Sequence, residues 1–351
     1  MKMNMRDYIF SIPNLLKEYN KDTNLTKDLE KVYLDSNKNL VLVASGSSYN
    51  ASLTVKYVLR EILGANVEVF SPSNFQYYEL ERFKDDLIVV ISQGGHSTNC
   101  LRLLDTLRNQ SIESTVITSD INSPVAKIAD NVIDYKIGIE KVSYVTRGYA
   151  GLVSFLLFFA FSINKNNVNN QFYKFIEDIN NAQKIFDDIL SKSKKIYEKN
   201  EKNFLSSKVV HVISSGDSLG TAFEAALKIG ETVKIPAFAY DLEEYIHGPN
   251  LQLDPNYTVY LIDNEDDTSD RIVELFYAIS EVTDRVYIIS SRIINDDRAL
   301  KVNYSNNVSR LIFNVIPFQF LAQSETDKLN KWEKHPLMKN FDKKIKSKEN
   351  E

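Results

Sequence analysis

What the sequence has little of narrows it first. It holds one cysteine, Cys100, in 351 residues, so no disulfide can close within the chain and a reducing compartment is expected. One cysteine and four histidines form no cluster at metal-ligand spacing, so no metal is expected. Long apolar runs are missing too. The most apolar stretch, Ala150 to Ile163, is about 14 residues, short of a bilayer, and reads as a buried helix. Residues Met1 to Asp7 lack the apolar core of a signal peptide. A basic patch is also missing: net charge is -5 and none stands out before the tail, which argues against nucleic acid. A soluble, cytoplasmic protein with neither a membrane nor a nucleic-acid partner is the expectation.

What is present is ordinary globular material, 43% apolar and 25% charged, long enough for two or three domains' worth of core. Nineteen Tyr and nineteen Phe are scattered through apolar runs and read as core. Residues 1–37 pattern as a helical segment with a narrow apolar stripe. Strands are predicted at 39–44, 67–70, 86–91 and 114–118, with helices between them. Strands apolar on both faces and alternating with helices specify a parallel sheet covered on both sides. The polar run 164–170 reads as a linker, followed by one long bridging helix over 171–198. The pattern then restarts with strands at 209–213, 258–262 and 285–289. The implied architecture is α/β: a first domain at 38–165, linker and helix at 166–200, a second domain at 201–328, and a basic, polar tail at 329–351 whose last ten residues should fray.

Two turns in the first half share one logic. Ser45-Gly46-Ser47-Ser48 and Ser92-Gln93-Gly94-Gly95-His96-Ser97 each follow a buried strand and precede a helix. Backbone N–H groups, the helix dipole and serine hydroxyls at such a turn favour an anion, and both turns lie on the carboxyl edge of one sheet. Plain helix capping would use the same residues at either turn alone. Neither turn matches a nucleotide-binding glycine fingerprint. In the second half, Glu224, Lys228 and Glu231 fall on one helical stripe after the turn Ser215-Gly216-Asp217. His247 follows sixteen residues after Glu231, before Gly248-Pro249. A Glu-Lys-Glu stripe is ordinarily a solvated face, and a histidine before Gly-Pro ordinarily a turn residue. Together, a carboxylate and an imidazole form a candidate general acid/base pair.

These segments carry a resemblance. SGSSYN (45–50), VVISQGGHST (89–98), GIEKVSYVTRG (138–148) and FEAALKIGETVKIPAFAYDLEEYIHGP (223–249) are similar to motifs of the double sugar-isomerase (SIS) domain proteins. These proteins include the isomerase half of glucosamine-6-phosphate synthase and the Amadori-sugar phosphate deglycases. The resemblance covers roughly residues 35–330 and implies two SIS-type subdomains, each a parallel sheet between helical layers. It implies that Ser47, Ser48, Ser92, Gln93 and Ser97 hold a sugar phosphate and that Ser143 and Val145 line the sugar. Lys228, Glu231 and His247 fall on catalytic positions, with Glu224 supporting them. It further implies at least a homodimer whose active site is shared between subunits. The sequence departs from the synthase at Gly94, where the synthase has a serine, and at His96, where it has an acid. A glutaminase domain before the first half is not expected, and the stretch from Trp332 resembles the tails of stand-alone deglycases. The expected activity is therefore deglycation of a 6-phosphorylated sugar–amino acid adduct such as fructoselysine or glucoselysine 6-phosphate, with no cofactor. Sugar-phosphate isomerisation or amino-sugar phosphate deamination is the alternative, and a sugar-phosphate sensor without chemistry is the third reading.

Overall fold

The computed structural model of the chain describes residues 3–142, 144–165 and 167–349. They divide into two compact units. The first comprises Glu18–Asn169 and Glu333–Glu351, the second Met1–Lys17 and Asn170–Trp332.

The first unit is built on five strands: β1 (Leu40–Ala44), β2 (Val67–Phe70), β3 (Leu87–Ile91), β4 (Thr115–Thr118) and β5 (Asn131–Asp134). All pair in parallel in the order β2-β1-β3-β4-β5, with Leu40 level with Val67 on one side and with Leu87 on the other. The central strands β1 and β3 are buried along their whole length, which is why their sequences run apolar without alternation. The helix Arg147–Asn164 packs against the helix Ser47–Leu63. Thr54 Oγ1 and Tyr149 Oη lie 2.7 Å apart across that contact, and Asn164 Nδ2 donates to Ile62 O at 2.6 Å. At 18 residues this helix is longer than the apolar run alone suggested. Its length and composition suit a membrane span, but 72% of its residues are buried inside the protein.

The second unit repeats the plan with β6 (Val210–Ser214), β7 (Ala237–Asp241), β8 (Thr258–Ile262), β9 (Val286–Ser290) and β10 (Ala299–Lys301). Their order is β10-β9-β8-β6-β7, again parallel throughout. Read from the other edge it matches the first sheet strand for strand, so β1 corresponds to β6 and β3 to β8. Both sheets are the α/β layers that the alternating pattern implied. The three strands absent from the sequence reading, β5, β7 and β10, are all sheet edges. Each is only partly buried, so they lack the continuous apolar signal of central strands.

The bridging helix expected over 171–198 is two helices, Asn169–Asn180 and Ala182–Leu205, parted at Asn181. Asparagine side chains compete for backbone hydrogen bonds, and the Asn180-Asn181 pair breaks the helix where a run of good helix formers would have continued it. The second helix is also irregular at Asn200, whose φ of -115° and ψ of 17° leave the helical region.

Candidate functional site

In the first unit, β1 and β3 end side by side and their turns open into a cleft of about 300 Å³. Gly46 takes φ of 58°, so the chain can reverse straight into the helix that begins at Ser47. Ser45, Ser47, Ser48, Ser92, Gln93 and Ser97 line the cleft, together with Val145. Ser143, expected beside the sugar, lies outside the described residues. Gly95, at φ of 71°, closes the second turn over Ser123, whose Oγ would stand 2.0 Å from a Cβ at that position. The Gln93 backbone carbonyl accepts from Ser119 N at 2.8 Å, Ser119 Oγ at 2.7 Å and Thr118 Oγ1 at 3.1 Å. These bonds hold the turn against the end of β4.

The sequence reading assigned no role to Glu140, which the structure places at the centre of this wall. Its Oε1 accepts from Thr146 N at 3.0 Å, Thr146 Oγ1 at 2.7 Å and Arg147 N at 3.1 Å. Its Oε2 accepts from Gly148 N and from Gln93 Nε2, both at 3.0 Å. Glu140 therefore caps the helix Arg147–Asn164 from outside the usual cap position, where a carboxylate meets unpaired N–H groups and the positive end of the dipole. It also fixes the Gln93 amide. Gly148 is needed there, because a Cβ would stand 2.1 Å from Gln93 Oε1. A cap supplied from six to eight residues upstream has no local sequence signature.

The tail also reaches this cleft. Instead of fraying, residues 347–349 run antiparallel to residues 96–98. Thr98 N donates to Ser347 O at 3.1 Å, Glu349 N donates to His96 O at 2.9 Å, and Ser97 bridges Lys348. His96 Nδ1 lies 2.9 Å from Glu349 O, and Lys348 joins the cleft lining.

In the second unit, the helix Ser218–Lys228 passes into a π-helical turn, Ile229–Val233, in which Lys234 N donates to Ile229 O five residues back. Lys234 then stops the helix in the left-handed region at φ of 60°. Lys228 is 1% exposed, with Nζ 3.4 Å from Glu224 Oε1 and hydrogen-bonded to Glu231 Oε1. The expected stripe is thus a buried ammonium held between two carboxylates rather than a solvated face. The two carboxylates differ: Glu224 is fully buried, whereas the Glu231 side chain is 28% exposed. Burying Lys228 is costly, and removing one partner would leave an uncompensated charge. Glu224 supports the lysine from inside, leaving Glu231 as the carboxylate that a ligand can meet. His247 is exposed at the end of the short helix Leu242–Ile246, which Asp241 caps through Glu243 N at 3.0 Å. Its ring makes no hydrogen bond or ion pair among the described residues.

At the counterpart turn of the second unit a side chain occupies the space beside the glycine. After β6, Gly216 takes φ of 53°, but a Cβ there would meet Asn264 Nδ2 at 2.5 Å. Asn264 Oδ1 accepts from Ser218 N at 3.0 Å and from Arg310 Nη2 at 3.0 Å. Burial pulls the Arg310 guanidinium below its ordinary pKa, opposed by the surrounding carboxylates, first Asp217 and then Glu265, Asp266 and Asp263.

A family model for the SIS domain matches residues 33–161, the stretch that contains both cleft turns. The glutamine–fructose-6-phosphate aminotransferase (isomerizing) of Clostridium acetobutylicum is 27% identical over 271 residues, 75% of this chain and 43% of that protein. The chain spans about half the length of the curated relatives it matches. Among solved structures, the C-terminal domain of glucosamine-fructose-6-phosphate aminotransferase from Francisella tularensis superposes with a TM-score of 0.80 at 22% identity. That match covers 93% of this chain and 96% of that one. The glucosamine-6-phosphate deaminase of Thermotoga maritima gives a TM-score of 0.76 at 21% identity, covering 93% and 94%. These likenesses cover both units and show the shared α/β fold.

Proposed function

We propose that this chain is an enzyme acting on a phosphorylated sugar. Ser47, Ser48, Ser92 and Ser97 hold the phosphate in the first unit, and Glu231 transfers a proton between C1 and C2 of the sugar. The observation that carries the reading is the Lys228 cluster. A lysine buried between two carboxylates, one sealed and one part-exposed, serves proton transfer better than it serves stability. In that chemistry Glu231 takes the proton, Lys228 neutralises the developing oxyanion, and His247 protonates the sugar oxygen during ring opening. The serine-lined turns supply neutral donors for a phosphate at a helix start.

The finer reading is deglycation. An enaminol forms from a 6-phosphorylated sugar–amino acid adduct, and hydrolysis of the resulting imine gives a hexose 6-phosphate and the free amino acid. Isomerisation or deamination of a sugar phosphate is the second reading, favoured by the fold likeness to glucosamine-6-phosphate deaminase and by the isomerizing relatives. The two part on the leaving group. Incubating the protein with a panel of 6-phosphorylated Amadori and Heyns adducts, alongside fructose, glucose and glucosamine 6-phosphates, separates them. Hexose phosphate released from an adduct supports deglycation, whereas turnover of the simple sugar phosphates alone transfers the assignment to the second reading. A homodimer with a shared site is part of the proposal. Mixing inactive Glu231→Gln with inactive His247→Ala should then restore about a quarter of the activity by random pairing. A verified heterodimer that stays inactive rejects sharing.

A further inference from the structure

We infer that Lys348 supplies the counter-charge for the anion in the first unit's cleft, an inference that rests on the phosphate reading above. The groups around the cleft are a poor match for a phosphate unless Lys348 is counted. The hydroxyl and amide groups that line it are neutral, while Asp120 and Glu140 bring two negative charges to the same wall. Glu140 is committed to five donors, yet its charge remains. Among the described residues that line the cleft, Lys348 is the one permanent cation. A dianion facing two carboxylates would be repelled without it.

Backbone pairing, rather than chance, brings this lysine to the cleft. Ser347 O and Glu349 N are the two groups of the tail that bond Thr98 N and His96 O, and the residue between them bridges Ser97. Ser97 is the residue from which the helix Thr98–Asn109 starts. The antiparallel pair therefore sets Lys348 opposite the end of the turn proposed to hold the phosphate. The His96 ring, bonded to Glu349 O at 2.9 Å, adds a side-chain tie at the same place. Lys348 is exposed, so its contribution is that of a screened surface charge, and it should weaken as salt rises.

Titration calorimetry of the full chain with fructose 6-phosphate and with inorganic phosphate tests this, at low salt and at high salt. Lys348→Gln should weaken binding by about fivefold at low salt, the worth of one charge pair a few ångströms apart in water. It should also flatten the salt dependence, and Lys348→Arg should restore both. A double Ser47→Ala, Ser92→Ala variant serves as the control on the cleft itself. If the double variant loses affinity while Lys348→Gln binds like the wild type, the lysine inference falls and the phosphate cleft stands. If Lys348→Gln and Lys348→Arg weaken binding equally, the effect is not one of charge and the inference falls as well. A wild-type chain that binds neither probe overturns the phosphate reading together with this inference.

Discussion

The two units put the same turn to opposite uses. After β1 and after β6 the chain reads Ser-Gly and then starts a helix, and in both places the glycine has positive φ. At Gly46 nothing beyond its chain neighbours lies within 4 Å of where a Cβ would be, and the flanking Ser45, Ser47 and Ser48 line the cleft. At Gly216 the Asn264 amide fills that space, its oxygen bonded to the first N–H of the helix and to Arg310. The protein has thus built its own ligand into the second turn. The difference comes from the loop after the neighbouring strand. Gln93 follows β3 but turns its amide to Glu140 rather than to the helix start. Asn264 follows β8, and its shorter side chain reaches the helix start itself. The chemistry-bearing residues of the second unit are displaced instead to the far end of its helix, where the π-helical turn presents Glu231.

The comparison can be broken at four points. The largest effect should come at the π-helical turn: Glu231→Gln, with the fold intact, should lower turnover of the true substrate by on the order of 10²-fold or more. Near wild-type turnover would remove Glu231 as the base. Next is the filled turn. Asn264→Ala leaves the buried Ser218 N–H and Arg310 short of a partner and should cost about 2 kcal/mol in denaturant unfolding. Gln93→Ala in the open turn should cost well under half of that, since Glu140 keeps four other donors. Equal losses would erase the distinction between open and filled turns. Third, Ser47→Ala with Ser92→Ala should raise KM about tenfold with a smaller change in kcat, because phosphate contacts are made in both ground and transition states. The matched pair Ser215→Ala with Ser218→Ala should leave KM unmoved. A KM shift from the second pair would mean that the filled turn also meets substrate.

The smallest effect concerns the strands beneath the turns. β1 is wholly apolar, whereas β6 carries His211, fully buried among the rings of Phe238, Tyr240, Tyr245 and Tyr257. Burial lowers its pKa from 6.5 to about 4. Between those values the unfolded chain holds a proton that the folded chain does not. Stability from this residue is therefore full above pH 6.5 and falls as pH drops toward 4. Between pH 7 and pH 5.5 the loss should be roughly 1 kcal/mol, measured as the change in unfolding free energy. His211→Phe should remove that slope, and an unchanged slope would assign the acid sensitivity to other groups.

Much of this molecule was legible in its sequence because central parallel strands are buried on both faces and announce themselves as apolar runs. β1, β3, β4, β6, β8 and β9 were found in that way, and the strand-turn-helix punctuation at Ser45 and Ser92 marked the cleft. The Glu224, Lys228 and Glu231 spacing was equally plain, since helix geometry alone puts those residues on one stripe. Of the edge strands only β2 was legible; β5, β7 and β10 were not, because a partly buried strand with solvated positions carries a weak pattern. Nor was the break at Asn181, where two asparagines interrupt an otherwise helical composition. The sequence by itself determined the repeated α/β order, the hydroxyl-rich turns and the charged stripe, all of which follow from local periodicity and residue chemistry. Only the tertiary structure decided which turn stays open, because that depends on whether Asn264 or Gln93 reaches across from the neighbouring strand. It alone also brought Glu140 to a helix start, through a cap with no local signature, and Lys348 to the cleft, through bonds between residues about 250 positions apart that leave no trace in the pattern of either segment.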